Sequence, residues 1–191
     1  MGGMKQFLCF VGIGLVSTIP GEVLNQVLSH RNPRAFGVTM ISYAVLMVVG
    51  YFVGQAGSRG NRRPTTAARN QYLLFGSLGL AVEWFLLGNA PALELLQPIV
   101  QPGMFTFWGT MMLAPRLFRE PSAFAALKRA TLRYFVAFSG LYLLVALLVP
   151  REKGGIYLGF IIFAAGYTGL NVYYWRYFRQ LRANEDSDPA N

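Results

Sequence analysis

Charged residues are scarce in this sequence. Asp, Glu, Lys and Arg make up 13% of its 191 residues, and the mean hydropathy is +0.39. A soluble domain normally has about a quarter of its residues charged. The few charges are also unevenly spread, because six long apolar windows hold almost none of them. These windows are 6–30, 35–58, 70–93, 95–115, 134–150 and 154–175. The scarcity of charge therefore excludes an ordinary soluble domain.

Residues that carry chemistry in many proteins are equally rare. The one cysteine, Cys9, cannot form an intrachain disulfide, and the one histidine, His30, excludes a bis-histidine haem and histidine-rich metal centres supplied by the chain. The only aspartates, Asp186 and Asp188, lie outside the apolar windows, which excludes an intramembrane aspartyl protease. No window contains a lysine for a retinal Schiff base. We therefore predict no catalytic residue, no metal site and no cofactor.

The apolar windows predict an all-α integral membrane protein. Most of the windows are near the roughly 20 residues that a helix needs to cross a bilayer, and they do not alternate as the strands of a membrane barrel do. We predict six transmembrane helices in one polytopic membrane domain, residues 1–183, followed by a short acidic disordered tail, 184–191. The predicted helices are 6–28, 35–55, 71–89, 98–115, 133–149 and 155–176.

The basic residues predict the orientation of the helices. Of the 17 lysines and arginines, 13 fall in the segments on the same side as the amino terminus, and 4 fall on the other side. Cytoplasmic segments are enriched in Lys and Arg, so we predict that both termini are cytoplasmic. The net charge of +9 then marks topology and not a nucleic-acid partner, and anionic lipid headgroups are its expected contact. The excess of arginine over lysine suggests a prokaryotic plasma membrane.

Two features between and within the helices carry further predictions. The segment 120–133 is predicted to form a short amphipathic helix along the membrane surface, with Phe124 and Leu127 facing lipid. Glycines recur at helical spacing, which allows close approach of helix backbones. Such faces suit a compact bundle, a homo-oligomer or a partner membrane protein. The glycines are Gly50 and Gly54, Gly76 and Gly79, and Gly155 and Gly159.

The first helix carries polar residues where lipid is expected. Glu22 lies about 22 Å along the axis from Phe7, in the outer half of the membrane. Asn25 and Gln26 follow it by three and four residues, so they share its helix face. Pro20 removes a backbone hydrogen bond beside them. A broken helix survives in lipid only where it faces protein or a wet cavity, so we predict that this face points into the bundle.

A second acid lies at a similar depth. Glu83 is about 18 Å along the third helix from Gln71, on the face that carries small residues. Asn89 and Gln101 lie near the outer ends of the third and fourth helices. An acid within the bilayer is costly and raises the suspicion of a functional site. We predict a polar vestibule in the outer half whose site residues are Glu22, Asn25, Gln26, Glu83, Asn89 and Gln101.

Three functions are consistent with this arrangement. The preferred hypothesis is a channel or carrier for an ion or a small solute, in which the two glutamates carry protons or bind a small cation. The alternative is a non-catalytic membrane subunit or assembly factor that binds partner helices through its glycine faces, with the glutamates as internal hydrogen-bonding groups. A lipid-modifying membrane enzyme ranks third, because only glutamates, amides and tyrosines remain to run its chemistry.

Overall fold

The computed structural model describes residues 3–58, 64–85, 97–119 and 124–187. Over these ranges the chain forms six α-helices and no strand. They are α1 Gly3–Glu22, α2 Pro33–Ser58, α3 Pro64–Phe85, α4 Gln97–Arg119, α5 Ala125–Leu148 and α6 Gly155–Ser187. A π-helix, Val23–Ser29, directly continues α1, and a 3₁₀ turn, Arg151–Lys153, precedes α6. The prediction of an all-α protein is confirmed.

Among the described residues, four helical segments are long and apolar enough to cross a membrane. They are Gly3–Ser29, Pro33–Ala56, Ala125–Leu148 and Gly155–Leu181. The surface of α2 illustrates what they present to their surroundings: an exposed apolar stripe at helical spacing, formed by Val38, Ile41, Val45, Val49 and Phe52. A contiguous apolar surface of this kind is rare on a soluble monomer. The fold is therefore that of an integral membrane protein.

The fourth helix, α4, lies at the centre of the bundle. It packs against α1, α3, α5 and α6. Most of its residues between positions 106 and 117 are buried, including Thr106, Thr110 and Trp108. A helix surrounded by other helices does not need a lipid-compatible surface all round, so it tolerates threonines and prolines. This position explains why α4 is less apolar than the four segments named above.

A buried amide ties α3 to this central helix. Gln71 Nε2 donates a hydrogen bond of 2.9 Å to the backbone carbonyl of Met112, and both groups are buried. Pro115 interrupts the backbone hydrogen bonding of α4 close to that carbonyl. Gly54 of α2 leaves the space that the Gln71 side chain occupies, since a Cβ on Gly54 would lie 3.3 Å from Nε2. The contact therefore fixes three helices relative to one another.

The prediction of a separate amphipathic helix over 120–133 is wrong. α5 begins at Ala125 and runs without a break to Leu148. Phe124 and Leu127 are both 0% exposed and belong to the hydrophobic core. Their spacing identifies an apolar face, and the sequence pattern alone does not say whether lipid or protein covers it. Here the other helices of the bundle cover it.

The helix termini differ from the predicted ones for identifiable reasons. α3 begins at Pro64, seven residues earlier than predicted, because proline is favoured in the first turn, where its missing N–H costs no hydrogen bond. α6 continues to Ser187, so residues 184–187 are helical where disorder was predicted. The next helix breaker is Pro189, and a residue before proline disfavours the helical conformation. Residues 188–191 lie outside the described part of the chain.

Candidate functional site

The polar stretch at the end of α1 folds as a π-helix. Glu22 is the last residue of α1, and Val23–Ser29 forms the wider turn that follows. His30 N–H donates to the Asn25 carbonyl at 3.0 Å, five residues back, as this helix type requires. Segments of π-helix are rare and often occur at functional sites. The sequence predicted a break at Pro20; the structure places the irregular backbone immediately after Glu22.

Two contacts hold the π-helix in place. Leu24 is fully buried and lies next to Gly159 of α6, which has room for it because it carries no side chain. At the far end, Arg151 Nη2 donates a 2.7 Å hydrogen bond to the carbonyl of Ser29. A carbonyl at a helix end has no partner within the helix, so the arginine supplies one. The segment is thereby attached to α6 and to the turn before α6.

Glu22 is buried between α1 and α2. Its side chain is 6% exposed, and the Tyr43 hydroxyl donates a 2.8 Å hydrogen bond to Oε1. The Gln26 amide also lies next to the carboxyl group. The second oxygen, Oε2, is buried and has no hydrogen-bond partner within the described part of the chain. Buried polar atoms are nearly always hydrogen-bonded, so this oxygen is an exception that calls for an explanation.

Glu83 has a similar environment between α3 and α4. It is 7% exposed, and Trp108 Nε1 donates a 3.1 Å hydrogen bond to its Oε1. One helical turn before Glu83, Gly79 faces the indole, and any side chain at that position would overlap Trp108. The glycine on this face of α3 therefore makes room for the residue that binds the acid.

An aromatic pair joins the two glutamates into one unit. The rings of Tyr43 and Trp108 meet edge to face, with their centroids 5.7 Å apart and an interplanar angle of 65°. We call Glu22, Tyr43, Trp108 and Glu83 the glutamate cluster. The two hydrogen bonds and the ring contact thus connect the acids of α1 and α3 through side chains of α2 and α4.

The other predicted site residues are distributed around the cluster. Gln26 lies beside Glu22, whereas Asn25 is half-buried in the π-helix. Gln101 accepts a 2.9 Å hydrogen bond from Trp84 Nε1, which links α3 to α4 one residue beyond Glu83. Asn89 lies outside the described residues. The structure thus brings Glu22, Gln26 and Glu83 together and places Gln101 at another contact between α3 and α4.

Sequence reasoning missed Tyr43 and Trp108. It selected acids and amides as candidate site residues and no aromatic residue. A hydroxyl or an indole N–H inside an apolar window also needs a partner when it is buried. This rule marks both residues as polar, although it does not say which acid each one binds.

A second group of polar side chains, also missed, connects α3, α4, α5 and α6. Asn171 Nδ2 donates to the Tyr72 hydroxyl at 2.9 Å and to Thr106 Oγ1 at 2.8 Å. The hydroxyls of Thr131 and Tyr174 share a 2.7 Å hydrogen bond nearby. Tyr174 is 0% exposed and packs edge to face against Tyr72. These residues hold the bundle together through satisfied hydrogen bonds.

Removal of the Tyr43 hydroxyl is expected to destabilise the protein. Tyr43→Phe leaves Glu22 Oε1 buried without its donor, which costs about 1–3 kcal/mol. The matched control is Tyr157→Phe, because Tyr157 is exposed and its replacement is expected to change stability by less than about 0.5 kcal/mol. Unfolding in detergent, followed by near-ultraviolet circular dichroism, measures both. Equal stability of the two variants would mean that the Tyr43–Glu22 hydrogen bond contributes nothing.

Comparisons with protein-family models, with curated proteins and with solved structures found no match for this chain. The class of protein therefore rests on the fold alone: an all-helical integral membrane protein with two acids in its core.

Proposed function

We propose that the protein is a six-span carrier or channel that moves protons or a small cation through the glutamate cluster. In this proposal α3 and α4 also cross the membrane, both termini are cytoplasmic, and the membrane is a prokaryotic plasma membrane. Neighbouring helices shield α4 from lipid, so α4 does not need an apolar surface all round in order to cross the membrane. The polar residues of α3 lie in its amino-terminal turns, so the apolar remainder of the helix can lie within the membrane. The distribution of basic residues supports the orientation.

The observation that carries the proposal is the pair of buried glutamates, which the contact between Tyr43 and Trp108 links. An acid at the centre of a membrane costs about 3 kcal/mol on insertion scales, and such residues commonly mark ion or proton pathways. A purely internal hydrogen-bonding role would be expected to satisfy both oxygens of Glu22. Instead Oε2 is buried without a hydrogen-bond partner among the described residues, so it can accept an exchangeable proton or coordinate a cation.

The alternative of an accessory subunit has lost part of its support. That reading relied on glycine faces that were available to partner helices. In the structure Gly50 faces Met112, Gly76 faces Phe105, and Gly79 faces Trp108, all within this chain. Helices of this chain therefore cover these glycines, which are not available to a partner helix. The buried acids remain as the feature that a function has to explain.

Flux measurements on the reconstituted protein test the proposal. Purified protein is placed in liposomes, and gradients of protons, Na⁺ and K⁺ are imposed one at a time and followed with internal indicator dyes. We expect at least one cation to move well above the rate in protein-free liposomes prepared in parallel. Absence of flux for all three, with protein that retains its fold after reconstitution, contradicts the proposal.

A further inference from the structure

The carboxy-terminal part of α6 has two opposite faces. Tyr174 and Phe178 point into the core, and the Tyr174 hydroxyl is fixed by Thr131. The opposite face carries Val172, Trp175, Arg176 and Arg179, which border a shallow groove. These four follow at positions i, i+3, i+4 and i+7, so they form one stripe along the helix. Packing on the buried face therefore fixes which side chains this stripe presents outward.

The chemistry of the stripe changes along the helix axis. Val172 is apolar and exposed, Trp175 is 38% exposed, and both arginines beyond it are exposed. The helical segment that can cross a membrane ends at Leu181, so the arginines lie within its last three turns. Tryptophan prefers the headgroup level of a bilayer, and an arginine there reaches the phosphates. Within two turns, the stripe thus changes from side chains that suit lipid acyl chains to side chains that bind lipid phosphates.

We propose that the stripe Val172–Trp175–Arg176–Arg179 binds one anionic phospholipid, with its phosphodiester between the two guanidinium groups and an acyl chain along Val172. Two arginines three residues apart lie on one face of a helix, so the N–H groups of both guanidinium groups can donate to one phosphate. A headgroup that lacks an amine matches this doubly positive surface, whereas a zwitterionic headgroup brings an ammonium against it. Charge complementarity therefore selects the anionic class. The proposal requires no transport activity.

Quenching of Trp175 fluorescence by brominated lipids tests this site. The protein is reconstituted in bilayers that contain either a brominated phosphatidylglycerol or a brominated phosphatidylcholine. The chain has three tryptophans, so the Trp175→Phe variant supplies the signal of the other two for subtraction. We expect the anionic lipid to occupy the site with a preference of roughly tenfold, since each arginine near the surface favours an anionic lipid several-fold.

Two variant pairs separate a local site from the general positive charge of the protein. Arg176→Gln with Arg179→Gln is expected to abolish the preference while Trp175 remains quenchable by both lipids. Arg31→Gln with Arg34→Gln removes the same charge from an exposed pair elsewhere and is expected to leave the preference unchanged. Equal quenching by the two lipids in the unmodified protein overturns the proposal, and so does a preference that survives in the Arg176/Arg179 variant.

Salt dependence provides a measurement that needs no variant. An exposed guanidinium–phosphate contact is screened as ionic strength rises, because the Debye length falls from about 10 Å at 0.1 M salt to about 3 Å at 1 M. The preference for the brominated anionic lipid is therefore expected to decline steeply over this range. A preference that does not change with salt contradicts an electrostatic site, even if the double variant fails to fold.

Discussion

Glutamine in place of Glu22 is expected to reduce cation flux to the level of protein-free liposomes. The substitution keeps a carbonyl oxygen that can accept the Tyr43 hydrogen bond, so the packing between α1 and α2 is retained. It removes the only group at that position that can gain or lose a proton. The variant therefore has no carboxyl group at position 22 that could bind a proton or a cation. Glu83→Gln is expected to act in the same direction, because Glu83 belongs to the same cluster through Trp108 and Tyr43.

The control for this prediction is Glu152→Gln. Glu152 lies in the exposed 3₁₀ turn before α6, so its replacement removes one acid without touching the glutamate cluster. We expect this variant to transport at the rate of the unmodified protein. Thermal unfolding in detergent accompanies each flux measurement, so that a loss of activity is compared only among folded variants. Full flux through folded Glu22→Gln protein would show that Glu22 is a structural residue.

The proximity of the two acids was predictable from the sequence because it depends on local geometry. Counting residues from the start of each helix at 1.5 Å per residue placed Glu22 and Glu83 at similar depths in two parallel helices. Their glycine and amide neighbours identified the inward face. Both inferences use only the residue order within one helix, and the structure places the acids in one cluster.

The partners of the acids were not predictable in the same way. Tyr43 meets Glu22 through packing of α1 on α2, and Trp108 meets Glu83 through packing of α3 on α4. Such pairings depend on which helices are neighbours and on their rotation, and neither is encoded in the hydrophobicity of a single helix. The π-helix was missed for a related reason. Pro20 indicates that the helix is interrupted, but it does not determine which backbone conformation follows.

The face carrying Phe124 and Leu127 shows the same limit. Apolar residues on one side of a helix indicate that this side avoids water. In a membrane protein both lipid and protein satisfy that requirement, so the pattern does not distinguish an interfacial helix from the first turns of a helix in the core. The distinction is made by the surrounding bundle, which here buries both residues completely.

Alanine in place of Gly103 is expected to destabilise the bundle more than a single methyl group would suggest. Gly103 lies on α4 where the helix meets α6, and a Cβ there would be 2.8 Å from the carbonyl oxygen of Ala164 and 3.0 Å from its Cα. Both atoms belong to the backbone, so no side-chain rotation relieves the overlap, and α4 and α6 must separate. We expect a loss of about 1–3 kcal/mol, typical of overpacking in a core.

The matched control is Gly12→Ala in α1. Nothing lies within 4 Å of a Cβ built on Gly12, so the substitution adds helix propensity without a clash and is expected to gain up to about 1 kcal/mol. A further variant tests the cause: Ala164→Gly added to Gly103→Ala is expected to restore no stability, because the clashing atoms remain. Unfolding of all three variants in detergent measures these differences. If Gly103→Ala is as stable as Gly12→Ala, or if Ala164→Gly rescues it, the close backbone approach of α4 and α6 does not contribute to the stability of the bundle.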